Sequence, residues 1–254
     1  MAVAKAKAEA LAARLAVAEP GQGGWLGAAQ ADALARLSAM GLPGKRDEYW
    51  RYTDPSTLTA PDALAADLFD NKGEARPFST LDRLKIVFVD GVFDPAQSDE
   101  LALDGVEISL LSDAAAVPGH WAKGLYGQLE TRGQTPVERP LATLNTGLSQ
   151  QGVLIRATGK AAKPISLIYL RKSYTSEAIL HHFIKIESGA DLTVLENGPG
   201  AARLNKVMEI DVGDGGKFHP IRTQGRDHQR RAATHTVARI GARAALKPFT
   251  LTAN

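Results

Sequence analysis

Residues 3–18, VAKAKAEALAARLAVA, set alanine and leucine against lysine, glutamate and arginine at helical spacing. Pro20-Gly21 follows as a stop, so this stretch predicts a helix. A second run, WLGAAQADALARLSAMG, gathers Leu26, Ala29, Ala33, Leu34 and Leu37 on one side before Gly41 breaks it. Two short helices with apolar stripes need a surface to dock on. After TDPSTLTAPDALAADLFDNKGEARP, which reads as a connecting segment, the period changes. LKIVFVDGVFD predicts two strands around Asp90-Gly91, a strong hairpin signal.

From GVLIRATG onward, short runs of Val, Ile and Thr alternate with glycine-containing turns, and no useful helical period recurs. Three segments align: IESGADLTVLE from Ile186, IDVGDGGKFHPI from Ile210 and ARIGARAALKPF from Ala238. Their glycines, Gly189, Gly213 and Gly241, are 24 and 28 residues apart, and Gly159 marks a looser earlier member. Imperfect repetition of strands without intervening helices points to a solenoid, and a parallel β-helix is the preferred form. An antiparallel sandwich is the alternative, because turns every 8 to 12 residues also occur there. The chain stops at PFTLTAN, within an alternating strand, so the β-helix is expected to continue in a longer protein.

The resulting expectation is a mainly β protein: a helical N-terminal region at 1–56, a mixed α/β connecting region at 57–140 and β-helix coils at 141–254. The 254 residues, 44% hydrophobic, suffice for a sizeable core. Net charge is only +2 but unevenly spread. Pro61 to Ser112 holds 11 acids and four bases, whereas Lys217 to Lys247 holds eight bases and the single acid Asp227. There is no cysteine, which excludes disulfides, thiolate metal sites and a cysteine nucleophile within the chain. No apolar run approaches a membrane span, and the N-terminus lacks a secretory h-region. The protein is therefore read as soluble and cytoplasmic, with no membrane partner.

Candidate chemistry is sparse. His181 and His182 lie in a strand pattern, so their rings point to opposite faces, one packed and one solvated. His219, His228 and His235 could converge only through stacking of coils, and with His120 they complete the six histidines. No GxxxxGK[ST] loop exists, GDGGK reads as a turn, and Ser166 and Ser188 lack a nucleophile elbow. Glu187, Asp191 and Glu196 sit near a turn and read as solvated. No catalytic or metal-ligating residue is assigned. The basic run 217–247 raises nucleic acid as a partner, but on strands it reads as decorating an outer face. In GLPGKRDEYWRYTD, residues 41–54, Trp50 reads as docked against the adjoining region with its neighbours solvated, and Glu48/Tyr52 and Asp47/Arg51 as i,i+4 pairs.

Three stretches together resemble the SufD family within the SufB/SufD superfamily. GLPGKRDEYWRYTD is similar to its Gly-Leu-Pro, Glu-x-Trp-x-Tyr-Thr signature, carried by Gly41, Leu42, Pro43, Glu48, Trp50, Tyr52 and Thr53. LATLNTGLSQQGVLIRATGKAAKPISLIYL resembles the segment in which Leu144-Asn145 precedes a glycine-containing strand and a Pro164-Ile165 strand, and HHFIKIESGADLTVLE resembles early β-helix coils. IVFVDGVFDPAQS also fits between them. The resemblance implies a right-handed parallel β-helix and a non-enzymatic scaffold subunit for iron-sulfur cluster assembly. It also implies a SufB-like partner bound through the β-helix, and a SufC-like ATPase bound through a C-terminal region absent from this sequence. No cofactor is expected on this chain alone; the cluster and a reduced flavin belong to the family's complex. No family residue of known function maps onto a numbered position. The rival readings are a carbohydrate-active β-helix enzyme and a nucleic-acid binder using residues 217–247.

Overall fold

The computed structural model describes residues 5–19, 23–70, 73, 76–225 and 227–252. The expected Pro20-Gly21 stop, Arg226 and the last two residues of PFTLTAN lie outside them. The helical patterns form as α1 (Lys5–Ala16) and α2 (Gly24–Met40), followed by a 3-10 turn at Glu48–Trp50 and α3 (Ser56–Thr59). Asp90 (φ 49°) and Gly91 (φ 87°) make the hairpin between β1 (Leu84–Val89) and β2 (Val92–Phe93), pairing Val89 with Val92. Two positive φ values in succession suit the twist of the flanking strands, which is why Asp-Gly was a reliable signal. β3 (Val106–Leu110), α4 (Leu111–Ala115), α5 (Gln128–Arg132) and α6 (Pro140–Leu148) lead into the repeats.

The repeats are coils of a parallel β-helix. β4 (Val153–Ala157), β6 (Glu177–Ile186), β8 (Arg203–Val212) and β10 (Arg231–Ile240) stack as one sheet. β5 (Ile165–Leu170), β7 (Asp191–Asn197), β9 (Lys217–Gln224), β11 (Ala245–Leu246) and β12 (Phe249–Thr252) stack as the other. Successive coils are 29, 26 and 28 residues long, as Leu154 pairs with Phe183, Glu177 with Arg203 and Arg203 with Arg231. The expected β-helix is thus the observed one, about four coils deep. Two of its three repeating glycines, Gly213 and Gly241, mark close approach between turns, while Gly189 (φ 75°) takes a left-handed turn in open space. A Cβ on Gly213 would lie 2.9 Å from the Ser188 nitrogen of the coil before, and one on Gly241 would lie 2.8 Å from the Asp214 nitrogen.

The segment between the helices and the repeats closes one end of the solenoid. β1 pairs parallel with β5, and β3 antiparallel with β4, so both sheets extend past the first coil. The core lies between the sheets, where Ile86, Phe88, Ile155, Leu167, Ile184, Val194, Ile210 and Phe218 are buried together. Burying aliphatic side chains of this kind contributes roughly 1.5–3 kcal/mol each.

The outer face of the β4-β6-β8-β10 sheet carries the helices. α6 lies directly on it, and every residue from Pro140 to Gly147 is buried. The Asn145 amide donates to Leu180 O at 3.1 Å and to Asn205 O at 2.8 Å, and Asn205 donates to Leu141 O at 2.8 Å. Asn145 therefore ties one helix to two adjacent strands. α2 packs over α6, where Gly147 leaves room for Leu34. Among the described residues no helix is long and apolar enough to cross a membrane.

Gly152 holds the first coil against the second. Its φ is +154°, and a Cβ there would fall 1.8 Å from His181 O. Gly152→Ala is expected to lower stability by more than 3 kcal/mol, because the obstacle is backbone that pairs with Gln151 and cannot step aside. Chemical denaturation of the variant checks this; a loss below 1 kcal/mol would contradict the stacking.

Candidate functional site

Strand alternation places several polar side chains inside the solenoid. On β8, Lys206 sits between Leu204 and Met208 and shares their inward parity; on β6, His182 alternates with Leu180 and Ile184; on β7, Glu196 follows Val194. Tyr169 on β5 and Arg222 on β9 point into the same space, with Arg222 in register with Glu196. Lys206 is 3% exposed and Glu196 6%.

These groups form one hydrogen-bonded chain. The Val153 N–H donates to His182 Nδ1 at 3.1 Å. His182 therefore carries its proton on Nε2 and donates it to the Tyr169 hydroxyl at 3.1 Å. The hydroxyl in turn donates to Glu196 Oε1 at 2.7 Å, the same oxygen that accepts from Lys206 Nζ. The ammonium also lies 5.3 Å from the Tyr169 ring centroid, a cation–π contact. Arg222 Nη1 donates to Thr234 Oγ1 of β10 at 3.0 Å. A polar thread thus joins β4 to β8, and the Arg222–Thr234 pair lies beside it without a hydrogen bond to it. It borders a cavity of about 10 Å³ lined by Tyr169, Glu196, Asn197, Lys206 and Arg222, room for one water-sized species.

The thread fixes protonation states. Burial alone would raise the Glu196 carboxyl, but the adjacent Lys206 charge and hydrogen bonds outweigh it and leave the pKa at about 2. Burial, reinforced by Lys206, pushes His182 down to about 3. Burial and Arg139 push His235, on the outer face of β10, down to about 4. The signs combine on acidification. Both imidazoles are neutral when folded and protonate near pH 6.5 when unfolded, so their contribution to stability falls as pH drops from 6.5 toward 3–4. Glu196's contribution is full above about 4.5 and is lost as pH falls toward 2. Below pH 6.5 stability should fall by about 1.4 kcal/mol per pH unit for each buried imidazole. Imidazole NMR shifts give the check: the His182 signal should stay in its neutral position at pH 5, and a midpoint near 6.5 would contradict the burial.

A second buried cluster anchors the helical cover. His181 faces outward, opposite His182, but it is covered, not solvated as expected from sequence: Tyr126 lies over it at 4.2 Å and both histidines are fully buried. Its Nε2 is 3.1 Å from Glu209 Oε2, and the Glu209 carboxylate also accepts from the backbone N–H of Gly127 at 2.7 Å and of Glu130 at 2.8 Å. The Glu130 carboxylate, also buried, accepts from Arg36 at 2.7 Å and from Thr143 at 2.7 Å.

Other sequence expectations divide. Glu196 is not solvated, because its strand parity turns it inward; Glu187 pairs with Arg156 at 2.7 Å at the rim, and Asp191 is half-buried. Half-buried His219 lies on the outer face of one sheet, His235 on the other, and His228 is exposed in a turn, so stacking does not bring the three together. His120 packs beside Trp25 and Trp121. The basic run does not simply decorate a surface: Arg222 points inward, Arg230 donates to Pro199 O at 3.0 Å and Arg239 pairs with Asp211 at 2.5 Å. Trp50 is half-buried against Leu11, Leu37 and Leu42, while Tyr49 and Tyr52 are exposed. Asp47 does not pair with Arg51; it accepts from Lys7 at 2.7 Å and from the Gly44 N–H at 3.0 Å. The missed residues, Tyr169, Lys206 and Arg222, had one sequence signal: a polar residue at the same strand parity as flanking apolar ones.

The described residues form a parallel β-helix with a helical cover and a small interior polar cluster. No family model matches the sequence. The chain is similar to the iron-sulfur cluster assembly protein SufD of Escherichia coli (strain K12), 25% identical over 170 residues, covering 65% of this chain and 37% of that protein. It is also similar to an iron-sulfur cluster assembly SufBD family protein of Synechocystis sp. (strain ATCC 27184 / PCC 6803 / Kazusa), 26% identical over 209 residues, covering 74% of this chain and 45% of the relative. The chain thus spans less than half the length of these relatives. The sequence motifs, the fold and these two relatives agree in making the chain similar to SufB/SufD-type proteins.

Proposed function

We propose that this chain is part of a scaffold subunit for iron-sulfur cluster assembly, and that the scaffold is not itself an enzyme. The observation that carries the reading is a match to two proteins of that named role over 170 and 209 residues, laid on a parallel β-helix. In this reading the solenoid pairs with a SufB-like subunit, and a SufC-like ATPase engages a C-terminal region of the longer protein. The working compartment is the cytoplasm.

The cluster is cargo of the assembled complex, and reduced flavin is assigned to the complex rather than to this chain. A carbohydrate-active reading requires two carboxylates flanking an open groove; Glu196 is instead enclosed and ion-paired with Lys206. Co-purification of the full-length protein with SufB-like and SufC-like partners tests the proposal. Recovery of a stable complex is expected, and a monomer that binds neither partner would refute it.

A further inference from the structure

The interior cluster carries more positive charge than its own carboxylate balances. Lys206 and Arg222 both line the small cavity, against the single acid Glu196. Glu196 is matched by Lys206, which leaves Arg222 as the excess charge. Among the described residues Arg222 makes no salt bridge, and its hydrogen-bond partner is the neutral Thr234 hydroxyl. Lys206 is almost fully buried and has three N–H donors; one reaches Glu196. Arg230, which shares the corner by donating to Gly198 O and Pro199 O, has the Asp227 carboxylate beside it, which accepts its backbone N–H at 3.2 Å, and so adds nothing to the excess. A half-enclosed guanidinium beside a buried ammonium is costly unless a counter-charge joins them.

We propose that this corner of the solenoid binds a spherical monovalent anion of about chloride size, held between the Lys206 ammonium and the Arg222 guanidinium. The cavity of about 10 Å³ admits one such species with a small outward shift of half-buried Arg222, and it excludes phosphate, nucleotides and sugars. A cation is disfavoured by the two positive side chains. A water would fill the space but leave Arg222 uncompensated. Asn197 also lines the cavity, and its Oδ1 has no hydrogen-bond partner. Turning that amide toward the anion through its N–H face therefore breaks no bond at Oδ1.

The test compares sodium chloride with sodium gluconate at constant ionic strength, reading Tm for the chain, for Arg222→Gln and for Arg222→Lys, with bromide located by anomalous diffraction. Chloride should raise Tm by about 2–4 °C in a saturable manner. Arg222→Gln should abolish the rise and Arg222→Lys should retain it, and bromide should lie between Lys206 Nζ and residue 222. A water alone in the cavity, a chloride response equal in Arg222→Gln, or a bromide peak without a saturable rise, meaning an adventitious ion only, would each overturn the proposal.

Discussion

Lys206→Met should destabilise the folded chain by about 3–5 kcal/mol, the range for removing one partner of a buried ion pair. For a chain of this size that is a fall in Tm of roughly 6–20 °C. The loss arises because Glu196, inside the solenoid at 6% exposure, keeps among the described residues only the Tyr169 hydroxyl as a hydrogen-bond donor. The ammonium's contact with the Tyr169 ring is lost as well. Adding Glu196→Leu should recover most of the stability, since the second change removes the charge that the first left unpaired. A double-mutant cycle by urea denaturation measures the coupling. Additive losses, or a Lys206→Met effect below 1 kcal/mol, would show that the pair is not enclosed as described.

The second large effect is expected at Glu209. Glu209→Ala leaves the Gly127 and Glu130 N–H groups and His181 Nε2 without their acceptor, all in a buried layer. Each unsatisfied donor costs about 1–3 kcal/mol, so a loss of at least 3 kcal/mol is expected. The damage should be local in a diagnostic way. Hydrogen exchange should quicken in α5, whose start Glu209 anchors to the sheet, while β5, β7 and β9, on the far sheet, keep their protection. Uniform loss of protection across both sheets would contradict the anchoring role.

Much of this fold could be read from the chain because its signals are local. Asp90-Gly91 demanded a tight hairpin, the Ala/Leu stripe of α2 marked a docked helix, and Gly189, Gly213 and Gly241 marked the coil corners. The segment Pro140–Leu148 was not legible as a helix. Its Thr, Asn and Gly residues are modest helix formers, and burial on all sides erases the amphipathic stripe. The interior cluster was hidden for a related reason. All ten residues of β8 are buried, because one face meets the opposing sheet and the other the helices, so alternation of polarity does not announce which charges turn inward. Lys206 and Glu209, three apart, therefore serve opposite faces of one strand. One of His181 and His182 read as solvated because nothing in the strand pattern reveals that a helical layer covers the outer face, where His181 is buried.

Activity of a cluster-dependent enzyme in cells depleted of the full-length protein tests the proposed role in building iron-sulfur clusters most directly. This activity should fall while the amount of that enzyme's polypeptide is unchanged, and restoring the full-length protein should recover it. Undiminished activity in the depleted cells, with normal cluster content, would contradict the claim.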